Sequence, residues 1–222
     1  MAEDTAWQKI ARRIRVPSGF VFAAVFLWLA RPSWPTLTAS LVLVAPGLWL
    51  RAYASGYVRK NAELTTTGPY AHTRNPLYLG SMLIAFGFAA AAASWMLLAA
   101  LALLFAAIYI PTIHSEEAYL RERFAAFDAY ANAVPRLLPR LRAGPRPSPQ
   151  STPQSGPRPA QPSPPSTQPA DAGPGTFSPA LYRKHREYNS LIGVCAIYLA
   201  LALRLVLERH LSATGSRPPW RF

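Results

Sequence analysis

A chain of 222 residues has room for one or two domains, and 51% hydrophobic content beside a mean hydropathy of only +0.10 points to two materials averaged together, apolar spans and a polar, proline-rich segment. The net charge of +13 comes from basic residues that flank apolar runs instead of forming a stripe interleaved with aromatics, which favours anionic lipid headgroups and argues against nucleic acid as a partner. The single cysteine, Cys195, excludes an internal disulfide and any multi-cysteine metal site, and its place inside an apolar run predicts a packed thiol.

Lys9, Arg12, Arg13 and Arg15 precede an uncharged run over 16–30, a short first span that no small-residue cleavage pattern follows. A turn rich in proline and tryptophan, Arg31 to Pro35, leads to a second span over 36–50 that Pro46-Gly47 should kink. Each run is near the lower limit of about 17 residues for crossing a bilayer. Residues 51–75 are polar and too long for a simple turn. Within them Gly68-Pro69 signals a turn, and Asn75-Pro76 reads as a helix start with Asn75 at the N-cap and Pro76 at the first helical position. Apolar runs over 77–93 and 95–113, separated by Ser94, predict a helical hairpin whose second arm Pro111 bends. Lys and Arg concentrate before the first run, in the polar loop and after the fourth run. The positive-inside rule therefore puts the N-terminus, the central stretch and the segment after His114 in the cytoplasm.

After His114, the spacing of Leu120, Phe124, Phe127, Ala131 and Val134 predicts an amphipathic helix on the membrane surface. Glu116 and Glu117 border its apolar stripe instead of opposing it. Carboxylates there need a partner, either a neighbour such as Arg121 or Arg123 or a ligand. Residues 144–179 are dense in Pro, Ser, Gln and Ala without an apolar pattern and should be disordered. Beyond them Tyr182 to Asn189 introduces a fifth apolar run, 190–207, in which Arg204 is expected to snorkel. The sequence thus predicts an all-α polytopic membrane protein of about five transmembrane helices, with a helical-hairpin core and a disordered proline-rich insertion. Its segments are a core over 1–142, a linker over 143–179, a basic segment and fifth helix over 180–210, and a tail over 211–222.

The chemistry concentrates in the stretch from Gly68 to Gly80. A helix N-terminus with Arg74 and His72 just before it suits a carboxylate or phosphate. No Gly-rich nucleotide loop, Gly-x-Ser-x-Gly or metal-ligand spacing is present, and His72 and His114 are isolated, so no metal is expected.

Gly68-Pro69-Tyr70, Arg74-Asn75-Pro76-Leu77-Tyr78-Leu79-Gly80, the hairpin, Glu116-Glu117, then Phe124, Tyr130, Val134-Pro135-Arg136 and Pro139 together resemble the isoprenylcysteine carboxyl methyltransferase and phospholipid methyltransferase superfamily. The likeness covers roughly residues 61–140, and Arg186-Glu187-Tyr188 is similar to a C-terminal segment of prokaryotic-type members. The resemblance implies an integral membrane enzyme that uses S-adenosylmethionine without a Rossmann fold and methylates a lipid or lipidated acceptor, foremost an isoprenylcysteine-like carboxyl group. It further implies cofactor contacts from Tyr70, His72, Arg74, Asn75, Tyr78, Gly80, Glu116 and Glu117, with Arg74 and Glu117 closest to the reaction. Arg74 and the helix amides suit the cofactor's carboxylate, the glutamates its ammonium or ribose hydroxyls, and the tyrosines adenine or the sulfonium. The chain departs from the family's usual Arg-His-Pro at Asn75 and from its usual Phe-Gly at Ala125. Asparagine cannot titrate near neutral pH, yet an already ionised acceptor needs no general base. Three other readings share these features: a phospholipid N-methyltransferase, a dinucleotide-dependent sterol or enone reductase, and a non-catalytic scaffold whose proline-rich tether recruits a partner.

Overall fold

The computed structural model describes residues 25–59, 63–143 and 175–214. The regular elements among them are all helical: α1 (Trp34–Ser55), a 3-10 turn (Gly68–Ala71), α2 (Pro76–Ala91), α3 (Trp95–Arg123), α4 (Phe127–Ala133), α5 (Pro179–Lys184) and α6 (Tyr188–Ala213). Residues 25–29 are helical as well; residues 16–24 of the expected first span lie outside the described residues. α1, α3 and α6 are long and apolar enough to cross a membrane. α2 has 16 residues, about 24 Å of helix against a hydrocarbon layer of about 30 Å. The outward side chains match that setting: Val42, Leu103 and Leu199 are each at least 70% exposed, as apolar residues facing lipid should be.

α1 outruns the expected second span at both ends. At its start Ser33 and Thr36 cap each other, the Thr36 N–H donating to Ser33 Oγ at 3.3 Å and the Ser33 N–H to Thr36 Oγ1 at 2.9 Å, with proline in the first turn. Thr36 Oγ1 also lies 3.1 Å from the Ala91 carbonyl oxygen, which ties the start of α1 to the end of α2. The two helices run antiparallel at close range because glycines face the seam. A β-carbon on Gly47 would sit 2.8 Å from the Gly80 carbonyl oxygen, and one on Gly80 would sit 2.6 Å from Arg51 Cγ. Pro46 and Pro111 lie inside α1 and α3 without ending either helix.

α2 closes at Ala92, Ala93 takes a left-handed φ of 50°, and the Ser94 side chain accepts the Leu97 N–H at 3.4 Å to start α3. The hairpin is as expected, but the expected end of its second arm at 113 and the separate surface helix beyond are corrected. α3 is one helix through Arg123 and breaks only where Phe124 becomes extended, leaving α4 as a short return. That fold-back brings Phe127, Tyr130 and Val134 against Leu120, Phe124 and Leu64, so the apolar stripe packs on the protein's own loop.

α6 runs antiparallel to α1. Glu187 meets Arg51 near one end, and the hydroxyls of Tyr198 and Ser40 lie 2.5 Å apart further along. Val194, Leu201 and Leu205 join Phe26, Leu37, Val44, Phe88 and Leu97 in the main apolar core. Two expectations fail here. Arg204 does not snorkel but bonds Glu208 at 3.1 Å and the Leu27 carbonyl, and Cys195 is exposed on the outer face of α6 instead of packed inside. Of the expected disordered linker, 144–174 lies outside the described residues. Its last residues are placed: Phe177 stacks on Tyr53 with centroids 5.9 Å apart and rests on Gly56, while the Ser178 N–H donates to the Gly56 carbonyl at 2.9 Å. The end of α1, the starts of α2 and α6 and the end of α3 therefore share one end of the bundle.

Candidate functional site

The site is assembled by two extended segments that zip together. The prolines at 135 and 139 keep the chain after α4 from continuing as helix, and it runs alongside residues 72–75. The Arg74 N–H donates to the Pro135 carbonyl at 2.9 Å, the Arg140 N–H to the His72 carbonyl at 3.0 Å, and the buried Thr73 hydroxyl to the Leu137 carbonyl at 3.0 Å. His72 uses Nδ1–H to reach the Arg140 carbonyl at 2.8 Å, which fixes its tautomer.

Asn75 stands at the N-cap of α2, but its side chain does not cap the helix. Nδ2 donates instead to the Arg136 carbonyl at 2.9 Å, so the expected cap is a clip between the two segments, and proline at the first helical position starts the helix.

This zipper carries Arg136 to Glu117. Glu117, only 6% exposed, accepts from Arg136 Nη2 at 2.8 Å and Nε at 3.1 Å, and Arg74 Nη2 lies 3.5 Å away on its other side. Arg121, one of the partners considered from the sequence, pairs instead with Asp128 at 2.7 Å, and Glu117 takes arginines from two remote segments. Hydrogen bonding to Glu117 pushes the Arg136 guanidinium above its ordinary value. His114 Nε2, 3.4 Å from Arg136 Nη1, accepts there, since a guanidinium can only donate. Arg74 Nε is buried and has no partner among the described residues.

Glu116 is exposed and accepts the Tyr78 hydroxyl at 2.7 Å, while the Tyr78 ring stands edge-on to Tyr109. Tyr70 is buried under this pair. Its carbonyl accepts the Tyr130 hydroxyl at 2.8 Å, and burial, aided by the neighbouring Tyr130 and Glu116, pushes its phenol well up. Burial raises Tyr130 too, against the pull of Arg74.

Of the residues singled out from sequence, Tyr70, Arg74, Tyr78, Glu116 and Glu117 come together. His72 and Asn75 serve the zipper, and Gly80 faces α1 at the helix seam, where its missing side chain is what the packing uses. Arg136, Thr73 and the Arg51–Glu187 pair were not singled out. The motif Val134-Pro135-Arg136 held the only signal for the first of them. Two cavities of about 370 Å³ lie away from this cluster in the apolar layer, one among Phe26, Phe88, Leu101 and Ile197, the other beside Trp28 and Leu207. Among the described residues no three His, Cys, Asp or Glu side chains gather as a metal site would need.

The family model described as phospholipid methyltransferase matches residues 36–126. The chain is 45% identical over 94 residues to the nickel-cobalt-cadmium resistance protein NccN of Alcaligenes xylosoxydans xylosoxydans. It is 42% identical over 94 residues to the cobalt-zinc-cadmium resistance protein CzcN of Cupriavidus metallidurans. Each match takes in 42% of this chain and 43% of the relative, so the chain covers less than half the length of the curated relatives it matches. No solved structure matches.

Proposed function

We propose, for a chain whose residues 36–126 match the phospholipid methyltransferase family model, that it transfers a methyl group from S-adenosylmethionine to a carboxylate on a lipidic, isoprenylcysteine-like acceptor. In this reading it is a multi-pass membrane enzyme with its N-terminus and site on the cytoplasmic side. The observation that carries it is the buried Arg74 guanidinium, whose Nε has no acceptor among the described residues, set beside buried Glu117 and the Tyr78–Glu116 pair.

That donor set fits the cofactor. A carboxylate needs a cation with a free N–H, which Arg74 offers at the start of α2, where the dipole also favours an anion. An ammonium or ribose hydroxyls need acceptors, which Glu116 and Glu117 supply. When bound, the cofactor supplies an activated methyl group. Arg136 holds the Glu117 carboxylate through two hydrogen bonds, so its geometry is set before any ligand arrives. Tyr70, with its phenol pushed up, stays protonated and adds a donor instead of a charge. Burial keeps water off Glu117 and strengthens every contact there.

Proton balance favours a carboxylate acceptor over an amine. A carboxylate arrives ionised and needs no base, whereas a phospholipid ammonium must first lose a proton, and Asn75 replaces the residue that could take it. Resistance to nickel, cobalt, cadmium or zinc, which the relatives' names record for them, would reach this chain through the same modification of a membrane component.

Calorimetry on folded, detergent-solubilised protein is expected to show saturable binding of S-adenosylhomocysteine and none of a reduced dinucleotide. Membrane extracts incubated with methyl-labelled cofactor should yield a labelled carboxyl ester by mass spectrometry. Absence of binding in a folded sample would end the enzyme reading and leave the scaffold, and label on an amine headgroup would move the assignment to phospholipid N-methylation.

A further inference from the structure

Arg51 and Glu187 join parts of the chain that are 136 residues apart. Glu187 presents Oε1 at 3.0 Å and Oε2 at 2.9 Å to Arg51 Nη2, and Oε2 again to Nε at 3.2 Å. Both side chains are largely buried, at 23% and 12% exposed. The opposite edge of the guanidinium reaches α2, where Nη1 donates to Ser81 Oγ and to the Leu77 carbonyl at 3.4 Å. Gly80 leaves the space through which the Arg51 stem passes.

The local geometry around Glu187 runs against ordinary preference. Glu187 occupies the N-cap of α6, yet its side chain caps nothing, and Arg186 before it takes a left-handed φ of 53°. The left-handed Arg186 backbone is the one local preference overridden where this carboxylate faces Arg51, and the Ser190 hydroxyl donates to its Oε2 at 3.2 Å. His185 Nδ1 lies 3.0 Å from the Ser55 carbonyl just below, so the turn is fixed on both sides.

What the guanidinium holds is the first turn of α2, and that turn carries Tyr78, the partner of Glu116. The buried Tyr70 lies within electrostatic reach of Glu116, Glu187 and Arg51 together, which makes the two polar clusters neighbours. Resting on the reading above, we propose that Arg51 and Glu187 are positioning residues of the site. They clamp the C-terminal segment onto the first turn of α2 and thereby fix Tyr78 against Glu116 for a ligand to meet. Neither need touch the ligand.

The test uses the full chain in detergent and three variants, Glu187→Gln, Glu187→Asp and Arg51→Lys. Each is examined by hydrogen–deuterium exchange, thermal melting and S-adenosylhomocysteine calorimetry. In Glu187→Gln, exchange should rise at residues 77–81 and stay as in the wild type at 194–205, where the Val194, Leu201 and Leu205 packing is untouched. Affinity should fall about tenfold or more, with Glu187→Asp recovering part of it. Arg51→Lys should behave like Glu187→Gln, because one ammonium cannot serve Glu187 and α2 at once. Unchanged exchange at 77–81 overturns the proposal. Exchange that rises equally at 194–205 with a large melting loss also overturns it, reducing the pair to a fastener of the fold. Local exchange in a protein whose wild type binds no S-adenosylhomocysteine supports the clamp and refutes the methyltransferase reading, so the two failures are separable.

Discussion

Replacing Glu117 by Gln removes one charge from between two guanidiniums whose surroundings differ, and the difference sets the expected cost. Arg136 is 45% exposed and can turn to water, so its share of the pair is smaller, about 1–2 kcal/mol once its two charge-assisted bonds are discounted for solvent. Arg74 is 12% exposed, already has an unpaired Nε, and has nowhere to go. Stranding one partner of a buried pair costs about 3–5 kcal/mol, so Glu117→Gln should lose about 3 kcal/mol or more. Arg136→Ala leaves Glu117 with Arg74 and should lose about 1–2 kcal/mol, the upper end reflecting two charge-assisted bonds. At about 2–4 °C per kcal/mol for a chain of this size, the melting temperature should fall by about 6–12 °C for Glu117→Gln and about 2–8 °C for Arg136→Ala. Tryptophan-fluorescence melts in one detergent give both numbers. An added anion such as a carboxylate should recover part of the Glu117→Gln loss by occupying Arg74. Equal melting of the two variants, or a larger loss for Arg136→Ala, would refute the claim that Arg74 is the trapped charge.

Arg74→Ala should weaken S-adenosylhomocysteine binding by about 10–150-fold, the worth of one charge-assisted hydrogen bond, with the helicity of α2 retained in circular dichroism; unchanged binding would make Arg74 a structural partner of Glu117 alone. Tyr78→Phe keeps the ring against Tyr109 and removes the bond to Glu116, so it should reduce affinity about tenfold and leave melting nearly unchanged, as calorimetry and melts on one sample can show. Gly80→Ala puts a β-carbon 2.8 Å from the Gly47 carbonyl and against Arg51, and should cost about 1–3 kcal/mol in melts together with a loss of binding from the displaced clamp. Asn75→His retains a donor for the Arg136 carbonyl and should fold and bind as the wild type does, whereas Asn75→Ala should loosen the zipper, with faster amide exchange at Arg74 and Arg140.

What could be read from the sequence was what local chemistry dictates. Pro76 starts a helix because its missing N–H is needed nowhere there, and the carboxylates at 116 and 117 stood out because an apolar stripe gave them no solvent of their own. The partners of Glu117 were beyond reach, since Arg74 and Arg136 arrive through backbone pairing of two extended segments, a tertiary event without local pattern. The full length of α3 was hidden for a related reason. Its apolar period carries on past Ile113 without a glycine or proline to mark the stop, and the break at Phe124 depends on α4 folding back to bury Phe127. Gly80 was assigned to a ligand because it ends a polar motif, while the residues it serves, Gly47 and Arg51, lie on another helix.

The mismatch between α2 and α3 explains why the site forms where it does. α3 has 29 residues, about 43 Å of helix, and overshoots a 30 Å apolar layer by about nine residues. Counted from Trp95, an apolar span of that thickness ends near His114, two residues short of Glu116, and carboxylates are costly inside such a span. α2, about 24 Å long, falls short of the same boundary, and its N-terminus therefore lies deeper than the end of α3. The loop before it is drawn in with it, which buries Tyr70, Thr73 and most of Arg74 beside a glutamate that would otherwise be hydrated. Arg51, on the end of α1, fills the level that α2 leaves open and needs Glu187 to be neutralised there. The short helix leaves room for the polar cluster, and Glu187 of the C-terminal segment supplies the countercharge to Arg51 beside it.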